Sequence, residues 1–294
     1  MIALSRKSLQ SFIQRALAED AASRDITSRA ILPPEARIRA AIIAKQSGIL
    51  VGGPLAVWTF QTLDPTLRCT LKRRDGARLA KGQMILTVEG RARSIFAAER
   101  TALNFLGHLS GIATLTQEFV RRVPRRVAIL DTRKTLPGLR RLQKYAVRVG
   151  GGVNHRMDLA DAVLIKTNHL RALKKTKFGI RNAEFGITIQ GAVTKAKDLR
   201  PKIFVEIEVT NLAEFRVALQ AKPNAILLDN WPLSKIRRAV ILKNSALRLE
   251  VSGGVTLANV RAIARTGVKR ISIGRLTHSA PSLDLSLKVT TDDR

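Results

Sequence analysis

Between positions 133 and 166 the chain places five groups that carry positive charge or an exchangeable proton: Arg133, Lys134, His155, Arg156 and Lys166. Each stands at the end of an apolar run or in a loop leading to or from one. Cationic side chains gathered in such positions suit a ligand with several negative charges, and arginine meets a carboxylate or phosphate through paired hydrogen bonds. Two carboxylates follow, Glu208 in FVEIEVT and Asp229 in ILLDN, each closing an apolar run. Strand-end acids facing a cationic pocket need compensation. A divalent metal bound to a polyphosphate supplies it, and so would internal salt bridges with Arg156 or Lys166. Glu206 lies two residues before Glu208 and points to the same side of a strand, so it either shares the site or sits deeper.

Two glycine turns complete the set. Ser252, Gly253 and Gly254 lead toward a helix expected at Leu257, and Gly274 with His278 follows the next apolar run. Backbone N–H groups at a tight glycine turn before a helix cradle phosphate. Plain turn chemistry is the alternative, but the last two strand loops of an α/β barrel are a recurrent phosphate site.

The elements that must position these residues form a repeat of strand, turn and helix. From Val127 onward, apolar runs end at Asp131, Lys166, Glu208, Asp229, Ser252 and Gly274, the last four 21, 23 and 22 residues apart. Strands joined by helical crossovers pair in parallel with right-handed connections. Six strands are countable, short of eight. The fold class expected is therefore α/β, an incomplete or open α/β barrel with parallel strands. Within it Pro137 suits the first turn of a helix whose apolar positions are Leu139, Leu142, Ala146 and Val149, closed by Gly150, Gly151 and Gly152.

Ahead of the barrel, Leu9, Phe12, Ile13, Ala16 and Leu17 mark one face of an amphipathic helix, read as a docking helix rather than a mitochondrial presequence. Arg37–Ala44, Ile49–Val51, Arg68–Arg73 and Met84–Glu89 read as strands. The segment DGARLAKGQMILTVEG resembles the small β units that carry biotin or lipoyl groups, but no presented lysine sits at its turn, so it reads as a packing module. A long helix from Ser94 to Val123 follows, which Gly107 and Gly111 bend or divide. The expected domains are 1–112, an N-terminal α+β sandwich on which 280–294 packs back, and 113–279, the catalytic barrel. Asp292-Asp293-Arg294 reads as a loose tail.

Composition narrows the class. With 294 residues, 45% hydrophobic, the chain can bury a substantial core. No apolar run reaches the roughly 18 residues of a membrane span. Cys69 stands alone, so no internal disulfide forms and a cytoplasmic setting is expected. The 52 Lys and Arg against 22 Asp and Glu leave a net charge of +30, more than an anion pocket needs. The basic residues are scattered, the pair Lys174-Lys175 among them, and only 4% of residues are aromatic. Nucleic acid is thus a non-specific partner if it is one at all.

DTRKT-PG-R, KYA-R-GGG-NHR and LIK-NH resemble the quinolinate phosphoribosyltransferase family of NAD biosynthesis, and the likeness extends over most of the chain. The resemblance implies transfer of a phosphoribosyl group from phosphoribosyl pyrophosphate to quinolinate with decarboxylation, giving nicotinate mononucleotide, pyrophosphate and carbon dioxide. It assigns Arg133, His155, Arg156 and Lys166 to the quinolinate carboxylates, with Arg100 from AERTALNFLGHLSGIAT. It assigns Lys134, Lys166, Glu208, Asp229, Ser252, Gly253, Gly254, Gly274 and His278 to the donor, and magnesium to Glu208 and Asp229. Lys134, Lys166, Glu208 and Asp229 would be the catalytic group. A homodimer, or a hexamer as the larger assembly, would share Arg100 across its interface. The chain departs from the family pattern at Thr167, where an acid is usual, at Arg24, where a glycine is usual, and at Arg275, where a small residue is usual. The alternatives are a related phosphoribosyltransferase acting on another pyridine or acid, and a basic nucleic-acid-binding protein built on a barrel that has lost its chemistry.

Overall fold

The computed structural model describes residues 5–175, 185–243 and 246–290. The side chains of Lys174 and Lys175 and the tail Asp292-Asp293-Arg294 lie outside the described residues. The chain forms two compact units: Met1–Gln117, Leu136–Gly151 and Leu276–Arg294 make the first, Glu118–Thr135 and Gly152–Arg275 the second. The segment Leu136–Gly151 thus groups with the first unit.

In the first unit the helix Arg6–Glu19 starts at an N-cap, where the Ser5 side chain accepts the Ser8 N–H. Leu9, Ile13 and Leu17 recur at the four-residue spacing that lines one helix face, and all three are buried. Phe12 packs on Phe105, ring centres 5.4 Å apart. Strands β1 (Arg37–Ala44), β2 (Gly48–Ile49), β3 (Arg68–Leu71), β4 (Arg78–Leu79) and β5 (Met84–Arg91) follow. The helix Ala92–Arg121 then runs unbroken for 30 residues. Gly107 and Gly111 do not divide it. They let the C-terminal segment lie against it: a Cβ at Gly111 would collide with the Pro281 carbonyl, and Leu283 N–H donates to the Gly107 carbonyl at 2.9 Å.

Pro137 precedes its helix instead of opening it. Gly138, at φ 77°, takes the left-handed conformation that breaks a helical path, so the helix begins at Arg140 and ends at Val149. Gly150 closes it, donating to the Ala146 carbonyl at 3.0 Å.

The second unit holds β6 (Ala128–Leu130), β7 (Val163–Ile165), β8 (Val205–Val209), β9 (Ala225–Asp229), β10 (Arg248–Ser252) and β11 (Arg270–Ser272). They form one six-stranded sheet in the order β6-β11-β10-β9-β8-β7, with every pairing parallel. Among the described residues β6 and β7 do not pair with each other, which leaves the barrel open. Ala225, Ile226, Leu227 and Leu228 are all buried, the continuous apolar run of a parallel strand covered on both faces. The helix expected at Leu257 begins at Val260 and is five residues long. The last strand, β12 (Leu285–Val289), pairs antiparallel with β1 and completes the first unit's sheet, β12-β1-β5-β3. Among the described residues no helix is long and apolar enough to cross a membrane.

Candidate active site

Parallel pairing brings all six strand carboxyl ends of the second unit to one side. Lys166 follows β7, Glu208 is the penultimate residue of β8, and Asp229 and Ser252 close β9 and β10 directly opposite one another. Gly274 lies two residues past β11. Glu208 is half-buried, and its Oε1 accepts from Thr167 through Oγ1 at 2.8 Å and the backbone N–H at 3.3 Å. Asp229 Oδ2 accepts from Asn230 Nδ2 at 3.0 Å. Neither acid forms a salt bridge among the described residues.

Gly253 is glycine for a steric reason. It sits at φ 84°, and a Cβ there would overlap the Asn230 side-chain amide. Asn230, itself left-handed at φ 57°, also donates its N–H to the Ser252 carbonyl at 2.9 Å. The β9 and β10 termini are thereby locked together around Asp229.

A second layer lies one residue pair deeper on the same strand faces. Glu206 and Glu250 are fully buried. His155 Nε2 meets Glu206 Oε2 at 2.9 Å and Glu250 Oε1 at 3.4 Å, and Arg270 Nε donates to Glu250 Oε2 at 2.9 Å. Burial opposes a charge on His155, but its hydrogen bonds to Glu206 and Glu250 outweigh that and push its pKa up to about 9. Burial, then the neighbouring Glu250, raises Glu206. Burial also opposes the Glu250 charge, but His155 and Arg270 hold its carboxyl below the usual range.

The ligand atoms of His155, Glu206 and Glu250 lie within 4.8 Å of one another, close enough to hold a metal ion. The hydrogen bonding competes with that use. In the neutral ring Nδ1 accepts the Arg156 N–H at 2.8 Å, so the proton resides on Nε2, the atom a metal would need. Arg270 already offsets Glu250.

Between the layers and the solvent stand the arginines. Asp131, fully buried at the end of β6, accepts from Asn154 Nδ2 at 2.5 Å and the His155 N–H at 2.9 Å, which shapes the NHR turn. Arg156 Nη1 donates to the Ala162 carbonyl at 2.8 Å. Burial lowers the Arg156 pKa, and the charge of Arg133 lowers it further, so the two guanidinium groups repel one another. Arg133 Nε is buried without a hydrogen-bond partner among the described residues, a donor that a carboxylate ligand would satisfy. Lys134 is exposed, its backbone N–H donating to Thr132 Oγ1 at 3.0 Å.

The second unit thus gathers Arg133, Lys134, His155, Arg156, Lys166, Glu208, Asp229, Ser252, Gly253, Gly254 and Gly274. The other two residues singled out from sequence belong to the first unit. Arg100 is exposed on the long helix beside Glu99. His278 is exposed in the short helix Arg275–His278, with Nδ1 2.6 Å from Ser279 Oγ. Sequence reasoning missed Asp131, Glu250 and Arg270 as site-forming residues. Their signal was present: a charged residue set inside, or immediately bounding, an otherwise apolar strand.

Residues 112–288 match the family described as quinolinate phosphoribosyl transferase, C-terminal domain, and residues 25–110 its N-terminal domain. A probable nicotinate-nucleotide pyrophosphorylase (carboxylating) of Bacillus subtilis is 37% identical over 283 residues, covering 96% of this chain and 93% of that protein. The nicotinate-nucleotide pyrophosphorylase (carboxylating) of Mycobacterium leprae is 39% identical over 282 residues, covering 94% and 95%. The solved structure of the nicotinate-nucleotide pyrophosphorylase from Francisella tularensis superposes with a TM-score of 0.87 at 39% identity, covering 98% of each chain. Matches of that extent to both domains, together with the arginine-lined end of an open barrel, make the assignment: the chain belongs to the quinolinate phosphoribosyltransferase family.

Proposed function

We propose that the chain transfers the phosphoribosyl group of phosphoribosyl pyrophosphate to quinolinate and releases carbon dioxide, forming nicotinate mononucleotide and pyrophosphate. Within this family the observation that carries the reading is the Arg133–Arg156 pair. Two mutually repelling guanidinium groups, one with a buried unpartnered Nε, suit the adjacent carboxylates of quinolinate. His155 and Lys166 add positive charge to that side, and Lys134, Ser252, Gly253, Gly254 and Gly274 would receive the phosphates of the donor.

The quinolinate ring nitrogen attacks the anomeric carbon as the carbon–oxygen bond to pyrophosphate breaks. Lys134 and Lys166 offset charge on the departing group, and Glu208 and Asp229 offset the positive charge growing on the ribose. The new pyridinium then stabilises the electron pair left when the adjacent carboxylate departs as carbon dioxide, and that ring carbon takes up a proton.

Glu208 and Asp229 fit magnesium. They are hard oxygen donors without a salt-bridge partner among the described residues, and Glu208 Oε2 and Asp229 Oδ1 accept no hydrogen bond there. Magnesium held by them and the donor would neutralise the pyrophosphate oxygens. Cytoplasmic residence fits the single Cys69, whose thiol burial pushes up to about 11.

Incubating purified protein with magnesium, donor and three competing acceptors, quinolinate, nicotinate and nicotinamide, tests the activity. Nicotinate mononucleotide with an equivalent of carbon dioxide should form from quinolinate alone; conversion of none overturns the reading. Arg100, exposed on the first unit, would act in a partner subunit's site within a homodimer or hexamer. Mixed dimers of Arg100→Ala with Glu208→Ala chains should then recover activity, because one of their two sites has both residues. Mixed dimers no more active than either parent exclude sharing.

A further inference from the structure

Gln143 lies in the helix Arg140–Val149 with no exposed surface, and a buried carboxamide needs partners for its polar groups. Oε1 accepts the Leu136 N–H at 3.0 Å, Nε2 donates to the Thr277 carbonyl at 3.0 Å, and Nε2 also meets His108 Nε2 at 2.8 Å. All four residues belong to the first unit. Three segments far apart in the chain therefore join at one side chain: the helix Ala92–Arg121, the loop before Arg140 and the short helix Arg275–His278.

The backbone partners fix the direction of the amide. An N–H can only donate and a carbonyl can only accept, so Oε1 must face Leu136 and Nε2 must face Thr277. The second hydrogen of Nε2 then goes to His108, whose Nε2 accepts it, which puts the imidazole proton on Nδ1. Burial favours that neutral ring by lowering the His108 pKa.

Leu136 follows Arg133 by three residues and Lys134 by two, and Thr277 follows Gly274 by three. Anchors that close in the chain leave those groups few torsions in which to wander, and misplacing a reacting group by about 1 Å can cost on the order of 10²-fold in rate. We propose that Gln143, oriented by His108, is a positioning residue for the reaction: it ties the loop carrying Arg133 and Lys134 to the turn carrying Gly274, and so aligns the acceptor-binding and donor-binding loops. This rests on the roles assigned above to Arg133, Lys134 and Gly274. Neither Gln143 nor His108 touches substrate in it.

Gln143→Met keeps the length of the side chain and removes all three bonds. Turnover per folded chain at saturating substrates should fall about tenfold. Quinolinate affinity without donor should stay within about twofold of wild type, because His155, Arg156 and Lys166 lie outside the tie. A purely structural role would lower the melting temperature and leave the folded variant turning over at the wild-type rate, and that result overturns the proposal. So does a loss of quinolinate affinity as large as the loss of turnover, which would place the defect in the acceptor pocket. An inactive wild-type protein would instead refute the activity itself, and is seen before any variant is compared. Should Gln143→Met not fold, His108→Leu, at a half-buried position, removes only the bond that orients the amide. Turnover about threefold lower then supports the tie, and wild-type turnover refutes it.

Discussion

Strand β8 carries two glutamates on the same face, and they serve different ends. Glu206 is fully buried against His155, with Glu250 and Arg270 close by, and although its Oε1 has no hydrogen-bond partner among the described residues, that oxygen is enclosed by protein. Glu208, two residues on, is half-buried and among the described residues accepts only from Thr167 through Oε1, which leaves Oε2 without a hydrogen bond there. Strand β10 repeats the contrast, with Glu250 in the buried layer and Ser252 at the open rim. The inner acids meet protein partners, whereas the rim acids are the ones proposed above to meet a ligand. The difference predicts that the two layers fail in different ways when cut.

The largest effect belongs to the rim. Glu208→Ala and Asp229→Ala should each lower turnover by about 10²–10³-fold or more, the scale seen when a group acting mainly on the transition state is removed. Quinolinate binding without donor should survive, because the carboxylate-facing cations are untouched. Calorimetric loss of quinolinate binding in both folded variants would contradict this division of labour. Urea unfolding should find both variants close to wild-type stability.

Glu250→Ala inverts the pattern. It leaves Arg270 and His155 buried with one partner fewer, and breaking a buried ion pair costs about 3–5 kcal/mol. The urea midpoint should fall steeply, and quinolinate affinity should weaken because His155 loses one of the groups that orient it. A Glu250→Ala protein as stable as wild type would mean that the inner layer does not hold the fold.

How much of this was readable beforehand follows the same division. The rim positions were legible because polar residues interrupt the apolar rhythm where strands end, so Lys166, Glu208, Asp229 and Ser252 stood out by position. Glu250 was missed because an acid inside an apolar strand signals that it has partners without saying which residues they are. Those partners, His155 and Arg270, are 95 residues before it and 20 after it in the chain. Pro137 was misplaced because helix-start statistics do not see Gly138, whose left-handed backbone ends the turn. Gly107 and Gly111 were read as helix breakers because a sequence does not reveal that another segment needs the space a side chain would fill.

The inner layer should also leave a mark on pH dependence. His155 is raised from 6.5 to about 9 in the folded chain, so its favourable interaction is complete below the unfolded pKa of about 6.5 and is lost as pH rises through about 9. The loss should be on the order of 2–3 kcal/mol. Protonation must open the contact between Nδ1 and the Arg156 N–H, which lowers the effect within that range. Unfolding free energies at closely spaced pH values from 6 to 10, compared between wild type and His155→Gln, isolate it. The difference between the two proteins should shrink with rising pH, and a constant difference would show that His155 stays neutral throughout.

The smallest expected effect tests the hydroxyl hydrogen bond from Thr167 to Glu208 at the rim. Thr167 donates to Glu208 through its hydroxyl at 2.8 Å and its N–H at 3.3 Å. An acid there would add negative charge next to Glu208, whereas the threonine spends a donor on it and fixes which oxygen is left over. Thr167→Val keeps the shape and the backbone N–H but removes the hydroxyl, a loss of about 1 kcal/mol for a partly exposed bond. The magnesium concentration for half-maximal turnover should rise about fivefold, with the quinolinate KM unchanged, because Glu208 becomes freer to rotate while the arginine side is untouched. A shifted quinolinate KM with unaltered magnesium dependence would place Thr167, and Glu208 with it, on the acceptor side of the site.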